Sequence, residues 1–424
     1  MKSIKLIFFC TLVYISSNAQ SDNTYQSLVA QASLFHLQKN PEKAVQLYEK
    51  AFEIQQPDAL TAYKVAGIYS LNQDSEKAFQ YLKTSLFSGW TEADWLLFDP
   101  YFDNLKTNNS EKWREIETLA ISQEKQYEKT LKLPALRKEI NLMCLNDQKL
   151  RYKKSQNTDE NLAKTIDQQI NEADSFNLIQ SKKIIKQYGW PKMSEIGKDG
   201  QNNLWLIVQH ADQDVLFQNE ALSEMEKLIG TKELNMENYV FLYDRVQCNL
   251  NYKQLYGTQV IWSGNGEASG FRPMIREDLA NERREKLGLE PLEIYSLIYG
   301  FSYQPIDSKE SAKRESIYNS QVKELLKNAK KAYNVKEFQK AYDDYNTAST
   351  FLGGMSNNDN IEASILFSKI AKIDKDEKYK SIALDFLDLL YLRGKLTITQ
   401  LLKQSEFKIL HQEQRWIDLL GKLK

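Results

Sequence analysis

His210 is the side chain in this sequence best placed to move a proton. It stands near the end of the run Trp205-Leu206-Ile207-Val208-Gln209-His210-Ala211-Asp212. With Gln201–Ala211 read as helix, it lies one turn beyond Leu206 and Ile207. A carboxylate beside the ring, Asp212 or Asp244, would hold the imidazole in one tautomer and raise its pKa, as general bases require. The same residues are also accounted for without chemistry if Asp212 or Asp214 caps a helix starting at Gln213 and His210 packs at the corner.

Asp244 and Arg245 follow the apolar stretch Tyr239-Val240-Phe241-Leu242-Tyr243. Neighbours on a helix point about 100° apart, so each must reach another element rather than its neighbour. One could orient His210 or Arg284, and an arginine (Arg245 or Arg284) could hold an anionic group through its fork. A structural ion pair is the other expectation. Next comes Gln254, followed by Tyr256-Gly257-Thr258-Gln259. On an alternating strand Tyr256 and Thr258 share one face while Gly257 and Gln259 share the other, and Gly257 lets a backbone or ligand come close. Gln254, Tyr256 and Thr258 would then form a polar row lining a cleft with His210, or satisfy one another at a sheet edge.

As a set, the His210 run, Asp244-Arg245, the Gln254–Gln259 run and the closing Arg284, Gly288-Leu289, Pro291-Leu292 and Tyr295 resemble an uncharacterised family of domains of unknown function. The resemblance spans roughly residues 130–300. It implies no established activity, so it marks a candidate surface rather than a reaction.

Other motifs lead nowhere. Gly264-Asn265-Gly266-Glu267-Ala268-Ser269-Gly270 has no parallel strand–helix unit around it and is expected to be a hairpin turn rather than a phosphate loop. The three histidines, His36, His210 and His411, fall in different modules, which argues against a histidine metal triad, and no cofactor is expected. With 56 Lys+Arg against 57 Asp+Glu, the chain has no bulk field for nucleic acid, and Lys323–Lys331, interleaved with Leu325, Leu326 and Ala329, is a solvated helix face.

These residues sit in a middle region, 124–308, where ten of the sixteen glycines lie between Gly189 and Gly300. Its pattern predicts a long helix over 124–154 and another over 159–188, stopped by Gly189-Trp190-Pro191. Shorter helices follow over 201–211, 213–229 and 236–249. One hairpin of 255–262 and 271–275 comes next, then helices over 276–287 and 291–299 with Gly288 as C-cap.

The flanks, 20–123 and 309–424, carry a different signal. Glu42-Lys43-Ala44 recurs 34 residues on as Glu76-Lys77-Ala78, Ala32 as Ala66, and Ala51 as Ser85. Ala329, Ala341 and Ala348 reproduce the spacing of Ala32, Ala44 and Ala51. Ala371 and Ala383 repeat it at a lag of 42, with Gly353–Asn360 as an eight-residue insert. Each block then closes on matched Phe and Leu positions (Phe102, Leu105; Phe407, Leu410) and a tryptophan, Trp113 or Trp416. The period and the small residues resemble tetratricopeptide repeats. The expected fold is mainly α, with helical repeats at both ends of an α-rich central domain carrying one β-hairpin.

Residues 1–19 have the basic start, short apolar run and Ala19 cut of a secretory signal. The protein is therefore expected to be exported, to the periplasm or beyond the cell. No other window is apolar enough to span a membrane, which takes about 20 residues. Export permits a disulfide between Cys144 and Cys248, but the two are expected as buried, unpaired thiols because they fall within helices. The leading functional expectation is a scaffold that binds a protein or peptide through its repeats. The alternatives are a hydrolase using His210 with Asp212 or Asp244, and a purely structural polar network.

Overall fold

The alanines at matched intervals become contact points between paired helices. In the computed structural model, which describes residues 24–374 and 376–423, the first block pairs α1 (Tyr25–Leu37) with α2 (Pro41–Ile54) and α3 (Ala59–Leu71) with α4 (Ser75–Phe87). Ala32, Ala44, Ala51, Ala66, Ala78 and Ser85 are fully buried. A methyl group there lets two backbones approach closely, and a larger side chain would force them apart. The two hairpin turns are the same turn: Lys39 and Gln73 adopt φ of 58° and 62°. The next residue, Asn40 or Asp74, donates its N–H back to Phe35 or Tyr69 and caps the following helix with its side chain. The residues at the signal-sequence positions, 1–19, lie outside the described residues.

Three helices close this block: α5 (Ala93–Phe98), α6 (Asp103–Asn108) and α7 (Ser110–Glu128). Buried Phe102 packs on Trp113 with ring centroids 5.8 Å apart. The helix expected over 124–154 is two. α7 runs past residue 124, and Pro134, which fits a first helical turn but not an interior, opens α8 (Pro134–Gln156). Then come α9 (Glu160–Tyr188), α10 (Met193–Gln209), α11 (Val215–Glu226) and α12 (Met236–Asn249). Gly197 kinks α10 at φ 77°, where a Cβ would overlap the Tyr127 hydroxyl and the Asp199 carboxylate.

The hairpin is shorter than expected: β1 (Val260–Trp262) pairs antiparallel with β2 (Ala268–Phe271). Residues 255–259 are not strand, because the N–H groups of Leu255, Tyr256, Thr258 and Gln259 are taken by side chains described below. Short helices α13 (Ala280–Glu285) and α14 (Leu292–Ile298) follow. Between them Gly288 ends α13 at φ 70°, and Leu289 N–H returns to the Arg284 carbonyl.

The second block pairs α15 (Ser308–Asn334) with α16 (Phe338–Thr350), and α17 (Asn357–Asp374) with α18 (Glu377–Leu392), closing with α19 (Ile398–Lys403) and α20 (Gln414–Leu423). Ala329, Ala341, Ala348, Ala371 and Ala383 are buried at its contacts. Lys336, at φ 62°, and Glu337, whose N–H returns to Ala332, repeat the turn of the first block. Phe407 meets Trp416 at 5.7 Å.

The chain divides into two compact units. One holds the described residues up to Leu242 with Val260–Phe271 and Asn281–Pro305; the other holds Tyr243–Gln259, Arg272–Ala280 and the chain from Ile306 onward. The middle region 124–308 thus contributes to both. The fold is mainly α with one hairpin. Among the described residues no helix is long and apolar enough to cross a membrane.

Candidate functional site

In the first unit His210 ends α10 and lines a cleft of about 10 Å³ formed with α8, α9, the turn before α11 and α11 itself. Its Nδ1 faces Asp147 Oδ2 at 3.7 Å. Asp212 is exposed, and one of its oxygens lies 3.4 Å from the amide of Gln218. Asp214 caps α11 by accepting the Phe217 N–H at 3.1 Å. The carboxylate beside the ring in this unit therefore comes from α8, a helix whose local pattern advertises only an Asp147–Arg151 pair four residues apart. Arg151 donates to Asp147 at 2.9 Å and to Asp174 of α9 at 2.7 Å. Burial pushes the Asp174 carboxyl above its ordinary range; Arg151 opposes that shift and the neighbouring Asp147 adds to it. Ser181 and Asn177, one turn apart on α9, complete the polar wall. Asp147, Asp174, Arg151 and Ser181 escaped notice in the sequence. Their one signal is two polar residues, Asn177 and Ser181, on the buried face of α9 that also carries Ile170 and Ile184.

Asp244, Arg245, Gln254, Tyr256, Gly257, Thr258 and Gln259 belong to the second unit, Arg284 to the first. Asp244 is fully buried on α12, and its carboxylate accepts the N–H groups of Leu255 at 2.7 Å, Tyr256 at 3.1 Å and Thr258 at 3.0 Å. Burial raises its pKa while those N–H groups pull the other way. Gln254, also fully buried, donates to the carbonyls of Gln259 at 2.9 Å and Arg272 at 2.7 Å and accepts the Gln259 N–H at 2.8 Å. These bonds hold 255–259 as a loop, with Gly257 at φ 73°. The expected polar row on a strand face is replaced by a loop cradled by Asp244. Tyr256 sets its ring edge-on to Tyr243 at 5.8 Å. Arg284, 2 % exposed, gives its Nε–H to the Glu290 carbonyl at 2.6 Å and lies over the Tyr295 ring.

Just before this loop, Leu250–Lys253 is gripped by the C-terminal block. Arg393 donates to the carbonyls of Leu250 at 2.9 Å, Asn251 at 3.1 Å and Met355 at 3.1 Å, and stacks on Tyr252 with 4.1 Å to the ring centroid. Asn251 donates to the Ser349 carbonyl at 2.8 Å, and Tyr252 to Asn357 at 3.0 Å. Gly354 lies so near Asn251 that a Cβ there would collide with the Asn251 carbonyl. The insert Gly353–Asn360, visible in the sequence only as eight residues breaking the period, is the surface that receives this hook.

Residues 134–304 match a family of unknown function (DUF6624). The DUF6624 match holds the His210 cleft, Asp244 with its cradled loop, Arg284 and the Leu250–Lys253 hook. Neither a curated protein nor a solved structure matches the chain. Among the described residues no group of three or more His, Cys, Asp or Glu side chains could hold a metal ion. Cys144 and Cys248 are buried and unpaired, and burial pushes both thiols up, Cys248 to about 12.

Proposed function

We propose that the protein is an exported scaffold. Its two end blocks are tetratricopeptide-like repeats that grip protein segments, and its middle segment carries a second contact surface. Its partner is a protein or peptide; no nucleic acid is involved. The observation that supports this best is the Arg393 grip, in which a helix-pair block holds a non-helical stretch through main-chain carbonyls. Repeat stacks offer extended concave binding surfaces, and hydrogen bonds to main-chain groups give affinity that does not depend on the partner's side chains. The identical turns and buried alanines support the repeat assignment. Export rests on residues 1–19.

A photo-crosslinking residue at Val335 or Leu402, 65 % and 63 % exposed, tests the scaffold role in living cells. A discrete adduct with one envelope or secreted protein is expected from at least one position. Adducts with nothing but a second copy of this chain, or none, would contradict it. Mass spectrometry of the secreted or periplasmic fraction should find a mature N-terminus at Gln20.

The His210 cleft favours a second role, a hydrolase in which His210 is the base and Asp147 orients it. Wild-type and His210→Ala protein assayed on ester, phosphate and peptide substrates distinguish the two. Turnover lost only in the variant supports the enzyme, and equal, negligible turnover removes it.

A further inference from the structure

The His210 cleft has a size and a lining that specify a ligand. A volume of about 10 Å³ is room for about one water molecule. Ser181 is fully buried, lines the cleft, and its Oγ finds no hydrogen-bond partner among the described residues. Asn177, 5 % exposed, stands one turn before it on the same face of α9. Asp147, Asp174 and His210 supply the other polar groups of the lining, and Leu178 and Phe217 apolar ones. A buried donor or acceptor left unmade is costly, so the orphaned Ser181 hydroxyl calls for a partner other than a protein group.

We propose that this cleft is a built site for a single ordered water molecule, held by Ser181 Oγ and an aspartate oxygen beside the imidazole of His210. The hydroxyl supplies one bond and Asp147 or Asp174 accepts another, giving the molecule the two to four partners that buried waters ordinarily have. The site stands on its own chemistry and needs no substrate. If the hydrolase role holds, this water is the nucleophile within reach of the base.

A monovalent cation is the alternative occupant, because Asp147 and Asp174 bring two carboxylates to one guanidinium, Arg151. A crystal structure of the full chain, with and without a rubidium soak, separates the two. The expected result is one density peak within hydrogen-bond distance of Ser181 Oγ and of Asp147 or Asp174, with no anomalous signal after the soak. Anomalous signal at that position would overturn the proposal in favour of a cation. So would the lack of any peak with the Ser181 hydroxyl turned onto the Asn177 carbonyl of its own helix. Ser181→Ala, a change a helix tolerates, should lose the peak in the same crystal form. Its persistence at full occupancy would show that Ser181 does not hold it.

Discussion

Arg137 and Arg393 are both buried, one in each unit, yet their surroundings are opposite. Arg137, on α8, is fully inaccessible and faces carboxylates: Asp199 at 2.5 Å, Glu124 at 2.9 Å and Glu128 at 3.4 Å, with the Thr91 carbonyl at 2.8 Å. Arg393, 7 % exposed, faces carbonyls, the Asn357 amide oxygen and a tyrosine ring. Burial pulls both guanidinium pKa values down. Around Arg137, Asp199 and Glu124 more than reverse that, whereas Arg393 stays below its ordinary value. The first arginine neutralises a surplus of buried negative charge. The second carries an unneutralised charge, tolerated because dipoles surround it, and so reads main-chain shape. Electrostatic need fixes the first contact, and recognition of a backbone path fixes the second.

The largest consequence is at Arg137. Arg137→Ala leaves buried carboxylates unpaired and should cost about 3–5 kcal/mol, seen as a lowered urea midpoint. A cost under about 1 kcal/mol would erase the contrast between the two arginines.

The negative surplus predicts the next effect. Glu92 accepts from Asn203 at 2.9 Å, and burial, with Asp199 nearby, pushes its carboxyl up to about 7. The folded chain then keeps a proton that the unfolded chain releases near its ordinary value of about 4.3. Stability from this group is full below that value, falls as pH rises toward about 7, and is flat above. The full loss is about 4 kcal/mol at 1.36 kcal/mol for each pKa unit. Urea unfolding at pH 5 and pH 8 should show this decline in the wild type, and Glu92→Gln should remove most of it. A parallel decline in the variant would assign it elsewhere.

At Arg393 the effect is smaller. Arg393→Lys keeps the charge and loses the fork, and should cost about 1–2 kcal/mol as carbonyls lose their donors. Arg415 sharpens the scale from the other end. It pairs with Asp385 and Asp388 at 2.7 and 2.6 Å but is about two-fifths exposed, so Arg415→Ala should change stability by under about 1 kcal/mol.

What the sequence made legible follows the range of the forces involved. Helix hairpins were readable because close packing repeats small residues at a fixed interval: Ala32, Ala44 and Ala51 announce themselves in any register. The insert Gly353–Asn360 was readable as a break in that interval, but its purpose was not, because the hook it receives lies about a hundred residues earlier. Likewise Asp244 stood out as a carboxylate in an apolar helix, while the loop it cradles looked like strand, since alternation says nothing about which donors a distant carboxylate will claim. His210 was visible as a lone histidine, but Asp147 and Asp174 were not. Their helices are polar enough that two more aspartates carry no local signal, and only tertiary packing brings Asp147 to the ring and Asp174 to the same cleft.

The central claim is that the C-terminal helix-pair block recognises and holds the chain immediately before the Asp244-cradled loop. Amide hydrogen exchange on the full-length Arg393→Ala protein, resolved by peptide, tests this most directly. Exchange should accelerate at least tenfold across Leu250–Gln259 while the buried core of α17 and α18 keeps its wild-type protection. Unchanged protection of Leu250–Gln259, or a loss spread evenly over the whole C-terminal block, would contradict it.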